Sequence, residues 1–411
     1  MNIRLYKLIH NECTWKRYYN QPIPNDTWLR RSITFPLKQS IKRWLFTLHF
    51  PFNSKYNTQQ YPGERKSKYR MLLENIVWTA KYKETNKYYF LYGLDLKSRS
   101  TKDYVAYTEF RVLRNIINFR YREILPTAYS FNYLALVRDK FLFYQYCKSL
   151  NMPYPKTIAL ISNNEIAWQN NGENSLNYHH LTDITHHDFD GFCKAVSGEF
   201  GKDAFALRST DGNLYLNNSE ISIEGFQKII ANKTFIIQER LRNHPTIDHV
   251  YPKSLNTIKL VTFLHDDGEV EFIDSLMRFG ANGNIVDNAG QGGIFVGVDR
   301  NGKLQDVGYH EPGWKKNLVV NGIHPDTGES FAGLQLPFWN EMYETACRFH
   351  KYCYGIPSMN WDIAFTPDGF YFTEAGEDWE IAVYQVTNGG MKDKFYRTHG
   401  KALDVKTRNY I

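Results

Sequence analysis

Apolar positions along the chain recur every third or fourth residue in some stretches and every second residue in others, and the two periods mark out its elements. Residues 69–81 and 103–118 have helical spacing, with Val112, Ile116 and Phe119 on one face. Residues 138–150 read as a further helix: Asp139 stands near its start, Phe141, Phe143, Tyr144 and Cys147 supply a packing face, and Asn151-Met152-Pro153 ends it. The spacing predicts a helix over 223–231 and a core-facing one carried by Trp339, Met342, Ala346, Phe349 and Cys353. Strands are expected at 157–161, 204–208 and 234–238. Residues 257–264 alternate, Asp267-Gly268 turns the chain, and 269–278 returns, which makes a hairpin. Pro22, Pro24, Pro51 and Pro62 interrupt the first part, and Pro126 offers a break before the rest. Strands and helices in this order indicate an α+β fold rather than a doubly wound parallel sheet.

A second hairpin is expected at 360–374, where two apolar and aromatic runs flank Pro367-Asp368-Gly369. Proline presets φ there and glycine accepts a positive φ. Asp362 and Glu374 lie at equal distances from Asp368, so the simplest register sets them opposite each other, with Cβ atoms roughly 5 Å apart. Two such carboxylates on apolar strands repel, and a divalent cation with oxygen ligands between them relieves the repulsion. The alternative is a register slipped by one, or two carboxylates that simply face water.

The chain has 411 residues, 42% hydrophobic and 16% aromatic, enough for two or three domains and a sizeable core. Its net charge of +7 is unevenly spread: residues 1–130 hold 24 Lys and Arg against 9 Asp and Glu, a net +15, and the remainder 26 against 34, a net −8. Basic residues mixed with tyrosine and tryptophan suit an anionic polymer, an RNA or an acidic membrane surface, and equally the solvated face of an ordinary domain. Cys13, Cys147, Cys193, Cys347 and Cys353 are odd in number, scattered and without a CxxC pair, so neither a thiolate zinc site nor a disulfide framework is expected. A reducing compartment follows, with no signal peptide and no run near the ~20 apolar residues of a membrane span.

Leu255-Asn256-Thr257-Ile258-Lys259-Leu260-Val261-Thr262 is followed by Met277-Arg278-Phe279-Gly280 and Val286-Asp287-Asn288. Then come Gly292-Gly293-Ile294, His324-Pro325-Asp326-Thr327-Gly328, Pro337-Phe338-Trp339 and Trp361-Asp362-Ile363-Ala364. In this order the set closely resembles the sugar-transfer-associated branch of the ATP-grasp superfamily, over roughly 133–395 and most strongly from Phe235 onward. The resemblance implies an ATP-grasp fold in which two α+β lobes clamp ATP, preceded here by a basic accessory region. The division it suggests is 1–125 for that region, 126–235 for the N-terminal part with the first nucleotide lobe, and 236–411 for the C-terminal lobe.

Residue by residue, the resemblance implies that Asp362 and Glu374 hold Mg2+. The family usually places an Asn two residues after the Glu, where this chain has Gly376, with Glu377 or Asp378 as the nearby substitutes. Lys140 matches the first phosphate-binding lysine. Arg208 is matched to the second, although Gly212 is the lone glycine of the loop after it. Gln238 and Glu239 match the hinge that reads adenine and ribose. Asn256, Lys259 and Arg278 would face the acyl phosphate, with Arg278 on the transition-state charge. Asp287, Asn288 and Gln291 belong to a loop over the acceptor. His310 and His324 read as turn or surface histidines.

The implied activity is a cytoplasmic, ATP- and Mg2+-dependent carboxylate–amine ligase acting through an acyl phosphate. The branch implies a setting in cell-surface polysaccharide modification, for example joining an amino acid to a sugar acid of a glycan or lipid-linked glycan. Peripheral contact with the acidic inner face of a membrane is expected, and specific nucleic-acid binding is not. The rival readings are an ATP-grasp kinase and a nucleotide-binding regulatory or scaffold protein with weakened catalysis.

Overall fold

The computed structural model describes residues 35–53, 60–119, 133–169, 176–198, 203–312 and 318–404. Pro22, Pro24, Cys13, the break at Pro126 and the expected boundary at 125–126 lie outside them.

The N-terminal region is helical: α1 (Phe35–His49), α2 (Lys68–Tyr82) and α3 (Tyr107–Phe119). The Ser67 hydroxyl caps α2 by accepting from Arg70 N, and Lys83 ends it in the left-handed region at φ 56°. The half-buried Glu84 carboxylate takes the Tyr107 and Thr108 amides (2.9 and 2.7 Å), supplying acceptors to the start of α3. The helix expected over 138–150 is α5 (Lys140–Ser149), with Arg138 ending a separate short turn before it, α4 (Ala135–Arg138). Asp139 adopts extended φ and ψ, and its side chain accepts from Phe141 N and Leu142 N, so a cap interrupts the apolar period.

The first sheet contains β1 (Thr157–Ser162), β2 (Glu165–Gln169), β3 (Leu176–His180), β4 (Phe189–Ala195), β5 (Ala204–Thr210), β6 (Asn213–Leu216), β7 (Ser219–Glu220) and β8 (Thr234–Glu239), in the order β3-β2-β1-β8-β4-β5-β6-β7. Helix α6 (Ile223–Ile230) buries Phe226 and Ile230 on one face, against Cys193, Phe205, Leu207 and Ile237. The domain boundary expected at 235–236 therefore falls inside β8.

After the short α7 (Pro245–Asp248) comes the second sheet: β9 (Thr257–Leu264), β10 (Val270–Phe279), β11 (Ile294–Val298), β12 (Leu304–Tyr309), β13 (Val319–Asn321), β14 (Ser358–Thr366) and β15 (Gly369–Gly376), ordered β13-β12-β11-β10-β9-β14-β15. Every pairing in both sheets is antiparallel, which fits an α+β layer fold and excludes a doubly wound parallel sheet. Helix α8 (Trp339–Tyr352) covers one face of this sheet, burying Met342, Ala346 and Phe349 with Ile258, Leu260, Met277 and Trp361. The other face is divided along its length. On β9 Val261 and Phe263 lie under the N-terminal region and helices α9 (Ile381–Asn388) and α10 (Lys392–His399), in one shared apolar core. Thr257 and Lys259, the same-face residues at the other end, open into a cleft.

Polar contacts also join the N-terminal region to this core. The Gln385 amide accepts from Val105 N (2.8 Å) and donates to Val105 O (3.0 Å), and Asn118 exchanges two hydrogen bonds with the Ser358 backbone (3.0 and 3.1 Å). No helix among the described residues is long and apolar enough to cross a membrane.

Candidate active site

A cleft of about 880 Å3 lies between the two sheets. Its chemistry follows from strand alternation. On β4, Cys193 and Ala195 point into the α6 core, so Lys194 points the other way, into the cleft. On β10 Met277 and Phe279 are core residues and Arg278 faces the cleft; on β14 Trp361 and Ile363 are core residues and Asp362 faces it.

The β14–β15 hairpin pairs Asp362 directly with Glu374, so both carboxylates lie on one face. The pairing is reached through a two-residue turn, Thr366↔Gly369, and a bulge at Thr373, the residue between Phe372↔Ile363 and Glu374↔Asp362. Thr373 Oγ1 donates to Asp362 O (2.9 Å), and its own carbonyl accepts from Lys194 Nζ (3.1 Å).

Asp362 is buried between two cations, Lys259 Nζ at 2.7 Å and Arg278 Nη2 at 2.8 Å. Burial alone would raise its carboxyl, but Arg278 and Lys259 hold it down at about 2. Arg278 also lies 3.4 Å from Asp287, whose carboxylate accepts from Thr257 N at 2.9 Å. Glu374 is more open and has Lys140 and Lys194 at 3.7 and 3.8 Å. Burial lowers Lys194, with the Glu374 carboxylate acting against that. Lys140 is the first residue of α5; its Nζ donates to Gly198 O (2.6 Å) and its backbone N to Val196 O (3.0 Å), which binds it to the turn after β4. Gln238 and Glu239 line the same cleft at the end of β8. The Gln238 side chain donates to Pro155 O (3.1 Å), and Glu239 accepts from Lys156 N (2.9 Å).

Lys140, Gln238, Glu239, Lys259, Arg278, Asp287, Asn288, Asp362 and Glu374 are thus brought together around one cavity. Three expected residues are not. Arg208 sits exposed on β5 with its guanidinium 4.7 Å above the Tyr215 ring, outside the cleft lining, and the buried lysine beside Lys140 is Lys194. Asn256 is fully buried: its side chain accepts from Ser254 Oγ (2.7 Å) and Gly280 N (3.1 Å) and donates to Tyr251 O (2.6 Å), which ties two loops together behind the cleft. Gln291 lies in the turn that begins at Asn288, where its carbonyl accepts from Asn284, and it does not line the cavity. His310 and His324 are buried rather than on the surface, and His324 Nε2 lies 2.8 Å from Gly280 O.

Lys194 and Asn360 are the residues that sequence reasoning missed. A legible signal for Lys194 exists: it ends a strand and is followed by Gly198 and Gly201. Asn360 faces Gly376 across the hairpin, and a Cβ at 376 would lie 3.1 Å from the end of its side-chain amide. In the orientation that satisfies both ends of its amide, the nitrogen donates to Gly376 O (2.9 Å) and the oxygen accepts from Lys259 Nζ (3.2 Å). Glu377 and Asp378, the other substitutes, are engaged by Arg138 and Arg114.

The donor set suits a hard divalent cation that arrives with phosphate. Two carboxylates stand side by side on one face of the hairpin, and no group of three or more His, Cys, Asp and Glu among the described residues forms a ready cage. Mg2+ takes one or two carboxylates and completes its shell with water and phosphate oxygens.

A family model for sugar-transfer associated ATP-grasp proteins matches residues 120–396. No curated protein sequence matches the chain. Similar solved structures include N5-carboxyaminoimidazole ribonucleotide synthetase from Thermotoga maritima (11% identity, TM-score 0.36, covering 71% of this chain and 55% of that one). D-alanyl-alanine synthetase A from Vibrio cholerae is similar at 9% identity and a TM-score of 0.37, covering 66% and 64%. Biotin carboxylase in an ATP complex from Campylobacter jejuni is similar at 10% identity and 0.39, covering 67% and 48%. The chain thus spans about half to two thirds of the length of these relatives. With the family match extending over two thirds of its residues, the chain belongs to the sugar-transfer associated ATP-grasp family.

Proposed function

We propose that the chain is an ATP- and Mg2+-dependent ligase that joins a carboxylate to an amine through an acyl phosphate. The observation that carries this reading is the line of cations along the cleft, Lys140 and Lys194 followed by Lys259 and Arg278, each within 4 Å of Asp362 or Glu374. Phosphoryl transfer needs positive groups spaced along a polyphosphate and a transferring phosphoryl group, fixed before the reaction begins.

In this reading Lys140 and Lys194 bind the nucleotide phosphates, while Gln238 and Glu239 hold the base and ribose. Asp362 and Glu374 would hold Mg2+, which supplies electrostatic neutralisation of phosphate oxygens when bound. A carboxylate oxygen of the donor attacks the γ-phosphorus, the bond to the β–γ bridging oxygen breaks, and ADP leaves with the electron pair. The acceptor nitrogen then attacks the acyl carbon, inorganic phosphate departs, and the nitrogen loses its proton. Arg278 and Lys259 face the transferred group, and Asp287 and Asn288 border the acceptor end. The family's setting supports a sugar acid and an amino acid as the pair to be joined, in cytoplasmic assembly of cell-surface polysaccharide.

The test is a coupled assay for ADP and inorganic phosphate over mixtures of amino acids and uronic acids. A ligase releases both products only when a carboxylate and an amine are present together. A kinase releases ADP with one substrate and no phosphate. Release of neither, with ATP still bound, identifies a regulatory protein and overturns the proposal.

A further inference from the structure

Half of the exposed large apolar side chains among the described residues, nine of 18, lie between Leu37 and Val77. On α1 they are Leu37, Ile41, Trp44, Leu45 and Leu48, between 36 and 58% exposed. The spacing of three or four residues puts them on one face of the helix. The opposite side packs inward through Thr47 and, just beyond the helix, Phe50. Lys38 and Lys42, both exposed, lie along the edge of the apolar stripe, and α1 contains no acidic residue. Helix α2 packs against α1 through Thr79 and Thr47 (2.8 Å) and carries a second exposed stripe of Tyr69, Leu73 and Val77.

This second stripe leads into a groove of about 490 Å3 whose wall combines Leu73, Val77 and Trp78 with Lys81, Lys102 and Lys392. Its one carboxylate, Glu74, is already engaged by Lys66 (2.9 Å) and the Tyr89 hydroxyl (2.6 Å). Lys81 and Lys392 share the Tyr82 ring, at 4.6 and 5.8 Å from its centroid, and Lys392 lies 3.7 Å from the buried Glu109. Burial lowers Lys81, the Lys392 charge beside it lowers it further, and the Glu109 carboxylate acts against both; a second anion in the groove would add to that relief.

We infer that the α1–α2 face docks the protein on an anionic phospholipid bilayer, with the stripes in the headgroup region and a lipid phosphate in the three-lysine groove. An exposed apolar stripe containing tryptophan beside a basic edge is the pattern of a helix lying in the membrane interface. Charge selects the occupant: α1 has no acidic residue, Lys38 and Lys42 edge its stripe, and Lys81, Lys102 and Lys392 line the groove, so the face suits an anionic surface.

The test is flotation of the full chain with phosphatidylcholine vesicles, with and without phosphatidylglycerol, at low and high salt, alongside heparin beads. Binding is expected only with the anionic lipid, falling as salt rises. Ile41→Glu with Leu45→Glu should abolish it. Lys81→Gln with Lys102→Gln should weaken it roughly 30-fold, at about fivefold for each basic residue lost near the surface. Ile229→Glu, an exposed apolar residue on α6, should leave it unchanged. Thermal melting with and without ATP checks that each variant is folded. Equal binding by the Ile41/Leu45 variant, equal binding to neutral vesicles, or retention on heparin without vesicle binding overturns the inference.

Discussion

Changing Asp362 to Asn and, separately, Glu374 to Gln separates two carboxylates that share one proposed role but differ in surroundings. Asp362 is buried with Lys259 at 2.7 Å and Arg278 at 2.8 Å, and its carboxyl is held at about 2 against an ordinary 3.8. Each pKa unit corresponds to ~1.4 kcal/mol, so ionised Asp362 stabilises the fold by about 2–3 kcal/mol. The variant also leaves Arg278 and Lys259 without their shared partner, which raises the cost toward the ~3 kcal/mol of a broken buried pair, since Asp287 offsets only part of the Arg278 charge. Glu374 has a side chain 44% exposed and lysines no closer than 3.7 Å, so its loss costs at most about 0.5 kcal/mol after solvent screening. Both variants should lose Mg2+-dependent turnover, but only Asp362→Asn should melt markedly lower at neutral pH. Because the folded carboxyl is depressed, its contribution is complete above 3.8 and is lost as pH falls through about 2. The gap in melting temperature between the parent and Asp362→Asn should therefore close in acid. Equal melting of Asp362→Asn and the parent at neutral pH, or a larger loss in Glu374→Gln, would refute the reasoning.

Lys194→Met should weaken ATP binding tenfold or more, the scale of a charge-assisted hydrogen bond, whereas Arg208→Ala should change it less than twofold; calorimetry giving the reverse ranking would return the phosphate role to Arg208. Burial pushes the Glu380 carboxyl up to about 7 from 4.5, so the folded protein holds an extra proton between those values and loses stability as pH rises through them. Glu380→Gln should therefore gain melting temperature relative to the parent between pH 5 and pH 8, and a constant difference across that range would contradict it. Gly376→Asn should destabilise the parent, because its Cβ meets Asn360 at 3.1 Å, but be tolerated with Asn360→Gly. Melting curves of the single and double variants read this, and equal losses in the two backgrounds would refute it.

Much of the fold is legible because long elements repeat their period. β9, β10, α6 and α8 match expectation to within a residue or two, since each alternates or repeats against a continuous core. β3 is not legible, because four of its five residues are exposed at a sheet edge and carry no apolar alternation. α1 escapes for a related reason: its apolar stripe faces outward, between the breaks at Pro24 and Pro51. Lys194 is hard to pick out in sequence because the apolar run at 204–208 also ends in a basic residue, Arg208, with a glycine four residues later. That glycine, Gly212, has φ 76° and serves the tight turn from β5 to β6, with open space where a Cβ would stand. A glycine that a turn needs and one near a phosphate look alike in sequence. The distinction lies in which face the preceding strand turns to the cleft.

Asp362 and Glu374 each lie six residues from Asp368, and setting them opposite on that count assumes that the chain folds back symmetrically about that residue. It does not. The turn is the two residues Pro367 and Asp368, and a ladder continued from Thr366↔Gly369 would set Asp362 against Thr373. Glu374 would then fall opposite Trp361 and point into the α8 core. The bulge adds one residue to β15 and restores Glu374 to the face of Asp362, so the shorter turn and the extra residue cancel. The bulge does more than correct the register. An unpaired residue frees its backbone groups from the ladder, and the freed Thr373 carbonyl is the acceptor that holds Lys194 in the cleft. One inserted residue thus aims the second carboxylate and anchors the buried lysine, which joins the first sheet to the second at the point where their charges meet.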